Sequence, residues 1–168
     1  MKDLVNFIRM GSETERFHSV KTLTHETVGH HSFNVAWLCW VLAGRLPSAE
    51  LIMAALAHDL AEHVVGDIPS PSKRAMDIRE AVQAYEDNIM DEQGLPTGQH
   101  LPDHERRILA LADCLDGMMS CQRERALGNR LITPVYVKFR SYAKNMGLVG
   151  KEKLLFTAIT SMWEDVDR

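Results

Sequence analysis

The sequence predicts an all-α fold. Two observations carry that expectation. Strand-type alternation is almost absent, and apolar periodicity of the helical kind, bounded by capping residues, glycines and prolines, recurs along the whole chain. A third sets the scale: 168 residues, 45% hydrophobic and 25% charged, suit one domain over 1–168 with a full core.

The elements follow in order. A short first helix covers roughly Lys2 to Met10. A polar stretch from Gly11 to Thr27 comes next, rich in Ser, Thr and His, and a loop this long in a compact domain is often functional. Thr27 caps a second helix that runs to Gly44. Pro47 and the cap Ser48 open a third, with Glu50 in its first turn and Gly66 as its stop. Asp67 to Pro71 carries two prolines and is expected to be non-helical, with Ser72 capping a fourth helix to Gly94. A loop with Pro96 and Gly98 leads to a fifth from Pro102 to Gly128. Thr133-Pro134 starts a sixth that ends at Gly147, and a last helix covers Lys151 to Asp165, about seven in all. There is no internal repeat and no interdomain linker.

Charge and composition remove several classes of function. A net charge of −4 gives no surface for a nucleic-acid polymer, so a phosphate ligand would be held by a few local cations. Cys39, Cys114 and Cys121 lack CxxC spacing, and three thiols fit a reducing cytosol with cysteine as a small core residue. The longest apolar run, Val35 to Ala43, is about half of the ~20 residues a membrane span needs. The expected location is cytoplasmic, with no membrane partner.

The informative residues are ionisable groups set in apolar helices. His58-Asp59 lies within Leu56-Ala57-His58-Asp59-Leu60, Asp113 follows Leu109-Ala110-Leu111-Ala112, and His31 stands upstream. Burying an unpaired carboxylate is costly, and a metal ion is the partner best suited to two His and two Asp. Such a set suits Zn²⁺, Mn²⁺, Fe²⁺ or Co²⁺ better than Mg²⁺, which prefers oxygen shells. It can activate water and polarise a phosphoryl oxygen. Read as one continuous helix, the third places Glu62 on the face of His58 and Asp59. Asp116, three residues after Asp113, is a group behind the ligands or on the helix surface. Asp67 could equally cap the turn before Pro69. Trp37, Leu38 and Trp40 read as core or as a subunit interface, and the apolar second helix exceeds what one face can bury, so an oligomer is expected.

These residues carry a resemblance. The order His31, His58-Asp59, Asp113 resembles the HD-domain metal phosphohydrolases. The fuller string adds Arg16-Phe17, His31-Ser32, His58-Asp59-Leu60-Ala61-Glu62, Gly66 to Lys73 and Ala112-Asp113. It resembles the branch of bacterial 5′-deoxynucleotidases and small phage dATP triphosphohydrolases. The resemblance implies a compact HD-domain helical bundle in which His31, His58, Asp59 and Asp113 hold the metal. Glu62 and Asp67 would manage the attacking water and the leaving oxygen. Arg16 and Lys73 would hold phosphate oxygens, and Phe17, Ser19 and Pro71 are candidates for the nucleoside pocket. Two positions depart from the pattern: Phe17 stands where Trp is usual, and His30 stands where Glu is usual. The second leaves His30 and His31 as rival ligands, with Ser32 favouring His31.

The implied reaction is water attack at the α-phosphorus of a deoxynucleotide. Hydrolysis of a monophosphate and removal of triphosphate from dATP share that attack, so the metal residues do not separate them. The short chain favours the dATP triphosphohydrolases; that resemblance implies Mg²⁺ accompanying the triphosphate and a role in dATP depletion, in host cytoplasm, for a phage with 2-aminoadenine DNA. Dimeric and hexameric relatives agree with an oligomer. The alternatives are a 5′-deoxynucleotidase and a non-catalytic nucleotide-binding module.

Overall fold

The computed structural model describes residues 1–44, 46–66 and 68–165, with Ser70 and Pro71 described by backbone alone. Nine α-helices are present among them. They are α1 (Lys2–Ser12), α2 (Val28–Ala43), α3 (Ala49–Ala57), α4 (Glu62–Val65), α5 (Ser70–Ala75), α6 (Arg79–Glu92), α7 (Asp103–Ala126), α8 (Thr133–Asn145) and α9 (Gly150–Asp165). Single 3₁₀ turns occupy Gly98–His100 and Arg130–Ile132. The one extended pairing among the described residues is an isolated antiparallel bridge, Glu15 to Thr27, which closes the loop between α1 and α2.

The predicted caps at the second and third helices are present. The Thr27 side chain accepts from the His30 amide and that of Ser48 from the Leu51 amide. Gly44 ends α2 with φ of 70°, a left-handed conformation that costs glycine little. The core forms where α2 and α7 pack together, with α3 against α2 and α8 and α9 against α7. Leu51, Leu111, Leu115 and Met118 are fully buried there, each contributing about 1.5–3 kcal/mol. A smaller cluster joins Phe7, Val28, Ala57, Leu60, Ala61, Ile89 and Met90.

The structure corrects the predicted elements in three places. The third helix stops at Ala57, and Glu62 opens a separate α4. Between them the chain makes tight turns, with Leu60 N donating to Ala57 O and Glu62 N to Asp59 O, both at 3.0 Å. Ser72 caps nothing: it lies inside α5, and Pro71 sits at the second position of that helix. First-turn amides have no partner within a helix, so proline costs nothing there. A turn with Asp77 at φ 55° then separates α5 from α6. Third, Trp37 and Trp40 are not core, being 55% and 50% exposed. With Phe33 they line one face of α2, in edge-to-face pairs 6.5 and 5.8 Å apart. The three cysteines are buried and free, as expected.

Candidate active site

Four side chains from three elements converge. α2 supplies His31, α7 supplies Asp113, and the turn after α3 supplies His58 and Asp59. His31 Nε2 lies 3.2 Å from His58 Nε2, 3.2 Å from Asp113 Oδ1 and 3.5 Å from Asp59 Oδ2. His58 Nε2 lies 3.4 Å from Asp59 Oδ2. The break after Ala57 makes this possible. Neighbours on a regular helix point about 100° apart, whereas this turn aims two consecutive side chains at one point. His31 is fully buried and Asp113 is 43% exposed, so the cluster has a protein floor and a solvent-facing rim. His30 is exposed, whereas His31 is buried within the cluster.

The far nitrogen of each imidazole is taken. His31 Nδ1 pairs with Asp116 Oδ2 at 2.6 Å, and His58 Nδ1 pairs with the Ala55 carbonyl at 2.8 Å. Both rings therefore present Nε2, the arrangement that orients metal-binding histidines. Asp116 thus stands behind His31 and is not on the helix surface, being 1% exposed. Burial disfavours charge on Asp113, but hydrogen bonding to His31 and the charges of His31, His58 and Arg16 hold its carboxyl well below the usual range. Asp59 is lowered against burial by His58, Arg16 and His31. Burial also opposes protonation of His31, yet its bonds to Asp113 and Asp116 raise it to about 9. Of the four side chains, His31, His58 and Asp113 lie close enough together to hold one divalent cation and their donors fit that group, while Asp59 Oδ2 is paired with Arg16 at the edge of the cluster. A second trio, Glu26, His31 and Asp116, is compact enough for an ion. Its Glu26 is already flanked by Arg16 and Arg123, whose positive charges oppose a cation there.

The loop between α1 and α2 brings Arg16 to the rim. Arg16 N donates to Glu26 O and Val28 N to Thr14 O, both at 2.9 Å, and Arg16 Nη1 donates to Asp59 Oδ2 at 2.6 Å. Phe17 follows at φ 59°, strained for an aromatic residue, with its ring 5.8 Å from the Arg16 guanidinium carbon. Glu62, the first residue of α4, is half-buried, and its charge acts on Arg16. Lys73 on α5 donates to Glu86 Oε1 at 3.1 Å. Ser19 is exposed on the Arg16 loop. Asp67 lies outside the described residues, as does the side chain of Pro71.

Several working residues escaped the sequence reading. Glu124 on α7 accepts from Leu23 N, Thr24 N, Thr24 Oγ1 and Asn129 Nδ2 at 2.6–2.8 Å, clamping the loop. Asn129 Nδ2 also donates to Lys21 O at 2.8 Å. Glu26 is buried beside Arg16, Ser120 and Arg123. One signal was available: Asp113, Asp116, Ser120 and Glu124 recur three or four residues apart and draw a polar row along α7.

An all-α bundle that gathers His31, His58-Asp59 and Asp113 at one point defines an HD-domain metal phosphohydrolase. Its solved likenesses agree in fold. The HD-domain phosphohydrolase of Listeria innocua superposes with a TM-score of 0.75 at 18% identity, over 96% of this chain and 88% of that one. The HD phosphohydrolase DatZ of cyanophage S-2L, solved with dA and one catalytic Zn²⁺ ion, gives 0.69 at 17% identity, over 95% and 96%. A 5′-deoxynucleotidase of Klebsiella pneumoniae is 26% identical over 137 residues, covering 68% of each chain. The family model described as 5′-deoxynucleotidase YfbR-like matches residues 5–152, and the chain belongs to that family. It is a metal-dependent hydrolase.

Proposed function

We propose that this chain hydrolyses deoxynucleoside 5′-monophosphates to deoxynucleoside and phosphate at the His31–His58–Asp59–Asp113 centre. One observation carries the preference for a monophosphate. Arg16 reaches the cluster itself, with Nη1 on Asp59 Oδ2 and its charge acting on His31, Asp59 and Asp113 alike, whereas Lys73, also expected to hold phosphate oxygens, pairs with Glu86 on α6. The family supports the same substrate class.

A divalent ion (Zn²⁺, Co²⁺, Mn²⁺ or Fe²⁺) would be held by His31, His58, Asp59 and Asp113 and would supply Lewis-acid polarisation of the phosphoryl group and activation of water at neutral pH. The chain supplies the rest. Arg16 offsets charge that builds on the phosphoryl oxygens during in-line attack. Glu62, beside Arg16 at the start of α4, accepts the proton of the attacking water, and with Asp67 returns one to the leaving 5′-oxygen. Phe17, held by its strained backbone, packs against the sugar and selects deoxyribose by excluding a 2′-hydroxyl. Ser19 and Pro71 complete the nucleoside pocket. The chain acts as an oligomer, with the α2 aromatic face as the contact.

A second reading, release of triphosphate from dATP with Mg²⁺ on the triphosphate, draws on Arg74. This residue is exposed next to Lys73 on α5, where β- and γ-phosphates could reach it. Incubation of the metal-loaded protein with deoxynucleoside monophosphates and triphosphates, followed by ion-exchange separation, tests the choice. Nucleoside and phosphate from monophosphates, with dATP inert, is the expected result. Deoxyadenosine and intact triphosphate from dATP, with dAMP inert, would transfer the chain to the second reading. No product from any of them would leave a nucleotide-binding module.

A further inference from the structure

Glu26 is 4% exposed and has no role in the chemistry described above. Its Oε2 accepts from Ser120 Oγ and lies 3.3 Å from Arg123 Nη2. Its Oε1 faces Arg16 Nε at 3.5 Å as an ion pair; both atoms are buried, and neither has a hydrogen-bond partner. The Glu26 carbonyl accepts from the Arg16 amide, so one residue grips Arg16 by backbone and side chain. At the other end, Arg16 Nη1 reaches Asp59. The guanidinium therefore spans from a buried carboxylate to the rim of the cluster. A planar fork hydrogen-bonded at Nη1 and drawn by a buried charge at Nε has its remaining N–H directions constrained as well.

We propose that Glu26 is a positioning residue that sets the plane of the Arg16 guanidinium over the metal cluster, with Ser120 and Arg123 holding its carboxylate in place. Arg123 and Ser120 belong to α7, the helix that also carries Asp113 and Asp116. One helix thus registers the metal ligands and the phosphate-binding arginine against each other. The functional consequence rests on the reading that Arg16 binds a phosphate oxygen.

A double-mutant cycle with an independent spectroscopic readout tests this. Glu26→Gln nearly conserves shape and keeps an acceptor for Ser120 but removes the charge facing Arg16. It should lower kcat/KM for a deoxynucleoside monophosphate by about tenfold to a hundredfold, with bound metal per chain unchanged and a lower Tm from the lost buried charge. In an Arg16→Ala background the same change should have no further effect, because Glu26 acts only through Arg16. Losses that add in the double variant would mark a general structural role and overturn the proposal. Full activity in Arg16→Ala would instead sink the phosphate-binding reading. The second readout does not need turnover. The Arg16 Nε–H resonance, assigned by its loss in Arg16→Ala, should be sharp in the wild type and averaged or exchange-broadened in Glu26→Gln. Should Glu26→Gln fail to fold, Ser120→Ala loosens the same carboxylate more gently and should move that resonance the same way. An unchanged resonance in the folded variant overturns the proposal whatever the kinetics.

Discussion

At the scale of single residues, the centre depends on His58 and Asp59 being consecutive and yet aimed together, their donor atoms 3.4 Å apart. The doublet was legible because a histidine and a carboxylate inside an apolar run need a partner. The means by which both reach one cluster was not legible, since Leu56 to Val65 contains no glycine or proline to announce a break. Packing makes that break: Leu60 and Ala61 are drawn into a cluster with Phe7, Ile89 and Met90. Asp67 could be read as a proton carrier or as a turn cap, and position in the sequence does not choose between them. Glu62 has a sharper expectation. Glu62→Gln should reduce kcat by about 10²–10⁴-fold, the range for loss of a general base. Calorimetric metal titration of the same variant should give the wild-type stoichiometry.

At the scale of elements, two contacts hold the site in register. Gly11 lets α1 approach the turn after His58-Asp59, and a Cβ there would stand 2.6 Å from the Leu60 carbonyl oxygen. Backbone has to move to relieve such a clash. Gly11→Ala should therefore cost about 1–3 kcal/mol, read as a lower Tm, and should weaken metal binding because the displaced turn carries two ligands. The Glu124 clamp makes a pH prediction. Burial alone would raise its carboxyl, but bonds from Thr24, Asn129 and the Leu23 and Thr24 amides push it down to about 2. A folded pKa below the unfolded value gives stability that is present above about 4.5 and lost as pH falls through 4.5 toward 2. Denaturant melts of the wild type and of Glu124→Gln should differ by about 1–3 kcal/mol at neutral pH and converge over that acid window. A constant gap across pH would show that the clamp does not depend on the charge. Helix starts were legible here through Thr27 and Ser48, whose oxygens satisfy first-turn amides. The loop clamp was less so, because it joins residues about a hundred positions apart.

At the scale of the whole molecule, the all-α class follows from apolar periodicity, whereas the packing of α2 against α7 is seen only in the structure. What faces outward was harder to read, because α2 is apolar around much of its circumference and periodicity alone does not say which side is buried. Phe33, Trp37 and Trp40 stand exposed in a row, and exposed rows of large apolar residues mark contact surfaces. With the α2 face as the proposed contact, light scattering should find the wild type oligomeric, Trp37→Glu monomeric, and Leu154→Glu, on the exposed part of α9, like the wild type. Equal masses for the wild type and Trp37→Glu would remove α2 from the interface.

The most direct measurement is phosphate release from a deoxynucleoside 5′-monophosphate by protein stripped of metal and then titrated with Co²⁺ or Zn²⁺. The account predicts no release before addition, a rise that saturates near one ion per chain, and its loss in Asp113→Ala. Undiminished release by the stripped protein, or by Asp113→Ala, would contradict it.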